Sequence, residues 1–307
     1  MMVKAFSICF TACCIVVTAV HGQAQQAQQT SVLQLNTHQD SLVRLSAETF
    51  SAENNEARFA KNADFVKKLV VALKTPGAYN YGFDSLQNIS IVKSPDDAFR
   101  IFSWFVPTDS GTYRFFGAIQ MHTKDETLKL FPLVDGTETF KDVNATTDNT
   151  HWYGSRYYEI VPIAGSGKQP LYALLGWKGN NKKTSKKVIE ILSFENGQPV
   201  FGKPVIEGEK GSQPKNRVVF EYNKLNSMTL QLDKKAGLIV LDHLAPYNPE
   251  MTGNFEYYAS DLSFDAYKPA GGKLKLLENV ELKNDPNKQD DFYIDPTRTD
   301  IPAIKKF

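Results

Sequence analysis

The feature that most constrains this chain is a change of hydrophobic period near Gly82. Upstream of it, Phe59, Ala63, Val66, Val70 and Leu73 recur at helical spacing, with Leu69 widening the apolar stripe. Ser51 stands as the N-cap of that helix, and Thr75-Pro76-Gly77 stops it; Leu42 and Leu45 mark a shorter helix before it. Downstream, aromatic and β-branched residues gather in short runs at 89–92, 99–106, 113–121, 128–134, 156–163, 171–177, 187–194, 217–222, 228–232 and 238–243. Gly, Asn, Asp or Pro separate them, and several alternate as strands with one wet face do, such as Arg217-Val-Val-Phe-Glu-Tyr222. Asn196-Gly197 is a strong hairpin signal, and Lys235-Ala236-Gly237 marks a second tight connection. So many short strands predict a mainly β fold: an N-terminal helical segment packed on an antiparallel multi-strand domain. A propeller-like meander is favoured because 94–104 and 260–267 resemble blade strands, although the repeat of ~40–50 residues expected of propellers shows only as loose echoes. A β-sandwich is the alternative.

The first residues predict export. Lys4 precedes an uncharged, largely apolar run over 5–20, and small or polar residues follow at 21–24. The run is shorter than the ~20 apolar residues of a membrane-spanning helix, which favours a cleaved signal over a retained anchor. Cleavage after Gly22 places Val20 and Gly22 at the −3 and −1 positions; cleavage after Ala24 is nearly as good. A lipoprotein reading at Cys13 would cut the apolar run in half and ranks low. The expected organisation is a signal peptide over 1–22, a flexible polar spacer over 23–37, a helical segment over 38–79 and a β domain over 80–307. The expected location is the periplasm or the cell exterior, with no membrane span after cleavage. Cys9, Cys13 and Cys14 all lie in the signal, so the mature chain is cysteine-free and must be held by its core alone. That removes Cys nucleophiles and Cys-ligated metals. Lys and Arg number 35 against 34 Asp and Glu, a balance that gives no reason to expect nucleic acid as a partner.

No metal-pair spacing joins His38, His122, His151 and His243. Asp242-His243 lies at the end of an apolar strand, where adjacent side chains point to opposite faces and cannot form a hydrogen-bonded dyad. Gly165-Ser166-Gly167 lacks the G-x-S-x-G spacing of a nucleophile elbow and reads as a hairpin loop; it makes no phosphate loop either. No cofactor is expected. Asp261 with Asp265, or Glu207 with Glu209, are the acid pairs that a carboxylate-based hydrolase would need. Asp135, Asp142, Asn144 and Asp148 are weak calcium candidates whose spacing fails the EF-hand pattern. Lys178, Lys182, Lys183, Lys186 and Lys187 form a basic run expected as a projecting hairpin loop.

The densest unusual cluster is His151-Trp-Tyr-Gly-Ser-Arg-Tyr-Tyr158. Trp152, Arg156 and Tyr158 share strand parity, so one face can present all three to a sugar ring or a peptide, with Tyr153 beside them and Trp177 as a further contributor. On that geometry Tyr153 and Tyr157 turn toward the core.

Phe99-Arg-Ile-Phe-Ser-Trp104, Gly111-Thr-Tyr-Arg-Phe-Phe-Gly117, Tyr172-Ala-Leu-Leu-Gly-Trp177, Arg217-Val-Val-Phe-Glu-Tyr222 and Leu238-Ile-Val-Leu-Asp-His-Leu244 resemble segments of uncharacterised secreted proteins of Bacteroidetes-type bacteria. The resemblance implies a signal peptide and an extracytoplasmic location, and it carries no catalytic residues. The functional expectation is an exported, non-catalytic binding or envelope-associated protein that recognises a glycan, a peptide or another envelope protein. A carboxylate-based hydrolase acting on carbohydrate is the alternative.

Overall fold

The computed structural model describes residues 6–163, 169–208 and 210–281, with side chains from residue 26 onward. Two helices lead, α1 (Phe6–Ser51) and α2 (Asn55–Leu73). The strands begin with β1 (Ser90–Lys93), β2 (Phe99–Pro107), β3 (Tyr113–Met121) and β4 (Lys129–Val134), a four-stranded antiparallel meander. A second sheet takes β5 (Thr147–Asp148), β6 (Arg156–Ile163), β7 (Leu171–Gly179), β8 (Thr184–Glu195) and β9 (Gln198–Phe201) in the order β5-β9-β8-β7-β6. Its long strand β8 also pairs with β10 (Arg217–Asn223), which takes the N-terminal part of the edge that β9 leaves free. A third meander runs through β11 (Leu230–Asp233), β12 (Leu238–Pro246), β13 (Tyr258–Ala270) and β14 (Lys273–Leu277). Among the described residues the fold is mainly β, with the helices packed on several antiparallel sheets and no closed barrel.

Three cores join these layers. Phe99, Ile101, Phe115 and Ile119 of the first sheet meet Tyr172, Leu174, Val188 and Leu192 of the second. The opposite face of the second sheet, with Ala173, Leu175, Ile189 and Ile191, meets Ile239, Leu241, Tyr267 and Leu274 of the third. Strands β7 and β8 are therefore buried on both sides, which is why their sequences read as near-continuous apolar runs rather than alternations. The third core lies between the helices and the outer face of β2, where Leu35, Leu42, Phe65 and Leu69 cover Phe102 and Trp104.

Two expectations at the N-terminal side change. The tract over 23–37, read as a flexible spacer, continues α1, and Leu35 within it is 1% exposed. The tract holds no Gly or Pro, and its Gln and Ala are good helix formers, so Leu35 and Leu42 can extend the helix once α2 supplies a partner. Ser51 ends α1 and does not cap α2; Asn54 does, its side chain accepting the Ala57 N–H at 3.0 Å. The hairpin at Asn196-Gly197 forms as expected between β8 and β9, with both residues at positive φ (51° and 75°) as a type I′ turn requires.

Candidate functional site

The Trp152 face expected at the surface lies inside, and Tyr157 turns into the core as that geometry had it. Trp152 is 0% exposed and Tyr153 and Tyr157 are buried in the core between the first and second sheets. The parity argument fails for a local reason. Trp152 precedes β6 and makes only an isolated parallel bridge to Asp135. Within β6 ordinary alternation sends Tyr157 into one core and Tyr158 onto the other, its hydroxyl donating to the Leu230 carbonyl at 2.7 Å, and the bulge between Tyr157 and Glu159 then returns Ile160 to the Tyr157 side. Arg156 is half-buried, 3.5 Å from the Gln87 carbonyl. Trp177 is held by Phe105 and Tyr113 and donates to Ser185 Oγ at 2.8 Å. Among the described residues the exposed Phe, Tyr and Trp rings sit elsewhere, at Tyr247, Phe255 and Tyr257 in the connection before β13.

This interior is polar as well as aromatic. Trp152 Nε1 donates to the Tyr157 hydroxyl at 2.8 Å, and that hydroxyl donates to Glu190. Arg217 Nε meets the other Glu190 oxygen at 2.5 Å, and both side chains are fully buried. Lys178, the first member of the basic run, turns inward to give its three protons to Thr137 Oγ1, the Tyr153 carbonyl and the Gly154 carbonyl at 2.5–2.7 Å. It lies over the rings of Tyr153 and Phe115 at 4.3 and 4.8 Å. Burial pulls its ammonium down to about 7, against the opposing pull of Asp135 and Glu190. The run is no single basic loop: Lys183 pairs with Glu256, Lys186 with Glu221, and Lys187 lies over Tyr158.

The acids are spent on structure. Asp135 is buried and accepts from Phe115 N at 2.8 Å and Thr137 N at 2.9 Å. Asp142 and Asp148 close turns on Asn144 N and Thr150 N, and Asn144 accepts from Asn216 N. These four calcium candidates form no common ligand set; among the described residues no group of three or more His, Cys, Asp or Glu is placed to hold a metal. Asp261 caps Ser263, while Asp265 binds His243 Nδ1 at 2.9 Å and raises that imidazole. Asp242 turns away from His243 to accept from Thr229 N, as strand alternation requires. Gly165-Ser166-Gly167 and Glu209 lie outside the described residues.

The cleft lies where sequence periodicity placed a core stripe. Both helices rest against β2, and α2 buries Phe65, Leu69, Ala72 and Leu73. Its neighbouring stripe of Phe59, Ala63, Val66 and Val70 is only partly covered: Val66 packs against the third core and Phe59 meets Phe116 at 6.4 Å, while Ala63 is exposed. The stripe faces the outer side of β3 and β4 across an open cleft of about 500 Å³, floored by Trp104, Phe116, Ala118, Leu130 and Pro132. Trp104 stacks on Phe116 at 5.9 Å and donates Nε1 to Asn62 Oδ1 at 2.7 Å, which locks the floor ring to the helix. A solvent-facing strand surface is ordinarily polar, so an apolar face left open at a sheet edge marks a surface built for contact. Its volume and its lining, apolar with few polar groups, match those of small-ligand sites. Sequence reasoning missed it because the same i, i+4, i+7 spacing serves a core and a cleft wall equally.

Comparison of the chain with family models, with curated proteins and with solved structures finds no match. The geometry of the cleft therefore carries the functional argument.

Proposed function

We propose that this chain is an exported, non-catalytic binding protein that holds an apolar ligand in the cleft between α2 and the first sheet. The observation that carries the reading is the open cleft of about 500 Å³ whose wall and floor are apolar on both sides. The partner is thus an apolar group entering the groove rather than a sugar stacked on Trp152. The hydrolase reading ranks below it, because Asp261 and Asp265 are engaged by Ser263 and His243. Export rests on Lys4, the uncharged run over 5–20 and the small residues up to Ala24. Cleavage after Gly22 would leave Leu35 and Leu42, and with them the α1–α2 packing. Among the described residues no helix is long and apolar enough to cross a membrane.

Titration of the chain from Gln23 onward with decanol, followed by calorimetry and by the fluorescence of Trp104 in the floor, tests the binding claim. Saturable binding that is lost on Ala63→Trp, which fills the cleft from its helical wall, is expected. No saturable binding, or binding indifferent to Ala63→Trp, would refute it. For export, N-terminal sequencing of the cell-made protein should begin near Gln23; an intact Met1 or a lipidated Cys13 would refute that part.

A further inference from the structure

We infer that the cleft takes a single-chain amphiphile with an anionic headgroup, its tail between α2 and β3–β4 and its head at Arg114. This rests on the cleft being the binding site and adds the chemistry of what fills it.

Phe59 and Phe116, which close one end of the apolar cleft, also line a second cavity of about 500 Å³. The remaining walls of that cavity are polar: Asn55, Thr108, Ser110, Thr112, Arg114 and Glu138 among them. The two spaces are successive stretches of one strand face. Side chains two apart on a strand share a face, so Ala118, Phe116 and Arg114 of β3 follow one another along the floor at steps of roughly 6.7 Å, and Thr112 lies just before the strand. Over about 13 Å the floor therefore passes from methyl to ring to guanidinium, with the Thr112 hydroxyl lining the polar cavity beyond. A ligand with one long apolar part and one compact polar end fits that order; a uniformly apolar ligand leaves the polar end unused.

The sign of the head comes from Arg114. Its guanidinium carries five donors in a fork suited to carboxylate or phosphate oxygens. Its two acidic neighbours lie beyond hydrogen-bonding distance, with Glu138 Oε2 at 3.6 Å and Asp135 Oδ2 at 3.9 Å. Asp135 Oδ2 already accepts the Phe115 N–H. Glu138 is 82% exposed at its side chain, so it forms a loose, water-screened pair that an incoming anion can displace. Of the other cations nearby, Arg58 is committed to Asp109 at 2.6 Å, and Lys67, on the apolar cleft away from the polar cavity, pairs with Asp64 at 3.6 Å. Asp109 also takes the first free N–H of α2, at Asn55, so anion recognition falls to Arg114 and not to the helix end. The hydroxyls of Thr108, Ser110 and Thr112 bond one another at 2.7–3.0 Å, and a ring of three hydroxyls keeps lone pairs and rotors available to a headgroup.

A fatty carboxylate and an alkyl phosphate share this chemistry, and parallel titrations with decanoate, decyl phosphate and decanol separate them. The expected result is that at least one anion binds about tenfold more tightly than decanol, as one charge-assisted bond would give. Arg114→Gln should erase that ratio, and Glu138→Gln should raise it. The ratio within each variant is the readout, so a general loosening of the cleft does not imitate the result. Equal affinity for all three ligands in the unaltered protein, or an anion preference that survives Arg114→Gln, overturns the inference while the apolar site stands. Failure of all three to bind removes the proposed function itself.

Discussion

Two regions of this molecule combine aromatic rings with a cation, and they differ in what closes over them. Between the first and second sheets, Lys178 and Arg217 lie against Tyr153, with Phe115 and Phe140 completing the cover. Every proton of Lys178 has an acceptor, and Arg217 has Glu190. Along α2, Trp104 and Phe116 stack on each other beneath an uncovered space, and Arg114 stands at its polar end with loose partners. The residue types are alike; closure decides their use. Where a second sheet completes the shell, charge and rings become structure, and where the helix stands off they remain available to a ligand.

That contrast breaks most visibly at Trp152. Trp152→Ala should lower unfolding free energy by about 3–5 kcal/mol in urea denaturation, since it empties a closed site. Decanol affinity of the folded protein should not change. A cost below about 1 kcal/mol would mean that the interior is not closed. Next comes Glu190→Gln, which leaves Arg217 buried without its carboxylate and should cost about 3 kcal/mol by the same measurement. Part of that loss should return when Arg217→Met is added, because removing the stranded charge relieves its desolvation.

The pH dependence sharpens the comparison further. Below pH 7, Lys178 is protonated in both the folded and unfolded chain, and the cost of burying its charge is fully present. Between about 7 and its ordinary 10.5 the unfolded chain binds the extra proton, so stability rises with pH, by at most about 1.4 kcal/mol per unit. Melting followed from pH 7 to pH 9 should show that rise, and Lys178→Met should flatten it. Above pH 10 the buried tyrosines reverse the trend: burial raises Tyr153 and Tyr158 in the folded state, so the unfolded chain loses those protons first. The smallest effect on stability belongs to the open region. Ala63→Trp, at an exposed position, should shift unfolding free energy by no more than about 0.5 kcal/mol while abolishing ligand binding. A large loss would show that the cleft wall is part of the core.

Much of the strand pattern was legible. The runs at 113–121 and 156–163 coincide with β3 and β6, and 99–106 differs from β2 by one residue. The short strand β5 was not, because two residues show no period, and it forms only through its pairing with β9. The site was illegible for a different reason. Trp152 looked outward on parity counted through a strand that starts only at Arg156. Val66 and Val70 looked inward on a helical stripe that is wider than the surface available to cover it.

Lys178 shows the same division within one short run. Its neighbours in sequence suggested a basic loop, yet strand pairing turns it inward toward the Tyr153 and Gly154 carbonyls. Local order alone determined the change from helix to strand near Gly82 and the Asn196-Gly197 turn, because backbone sterics and side-chain period act within a few residues. Only the tertiary structure decided which faces are covered. Covering depends on how far α1 and α2 reach across the first sheet, on which sheet meets each face of β6, and on the second sheet being enclosed from both sides. Those contacts join residues far apart in sequence, and no local window of the chain contains them.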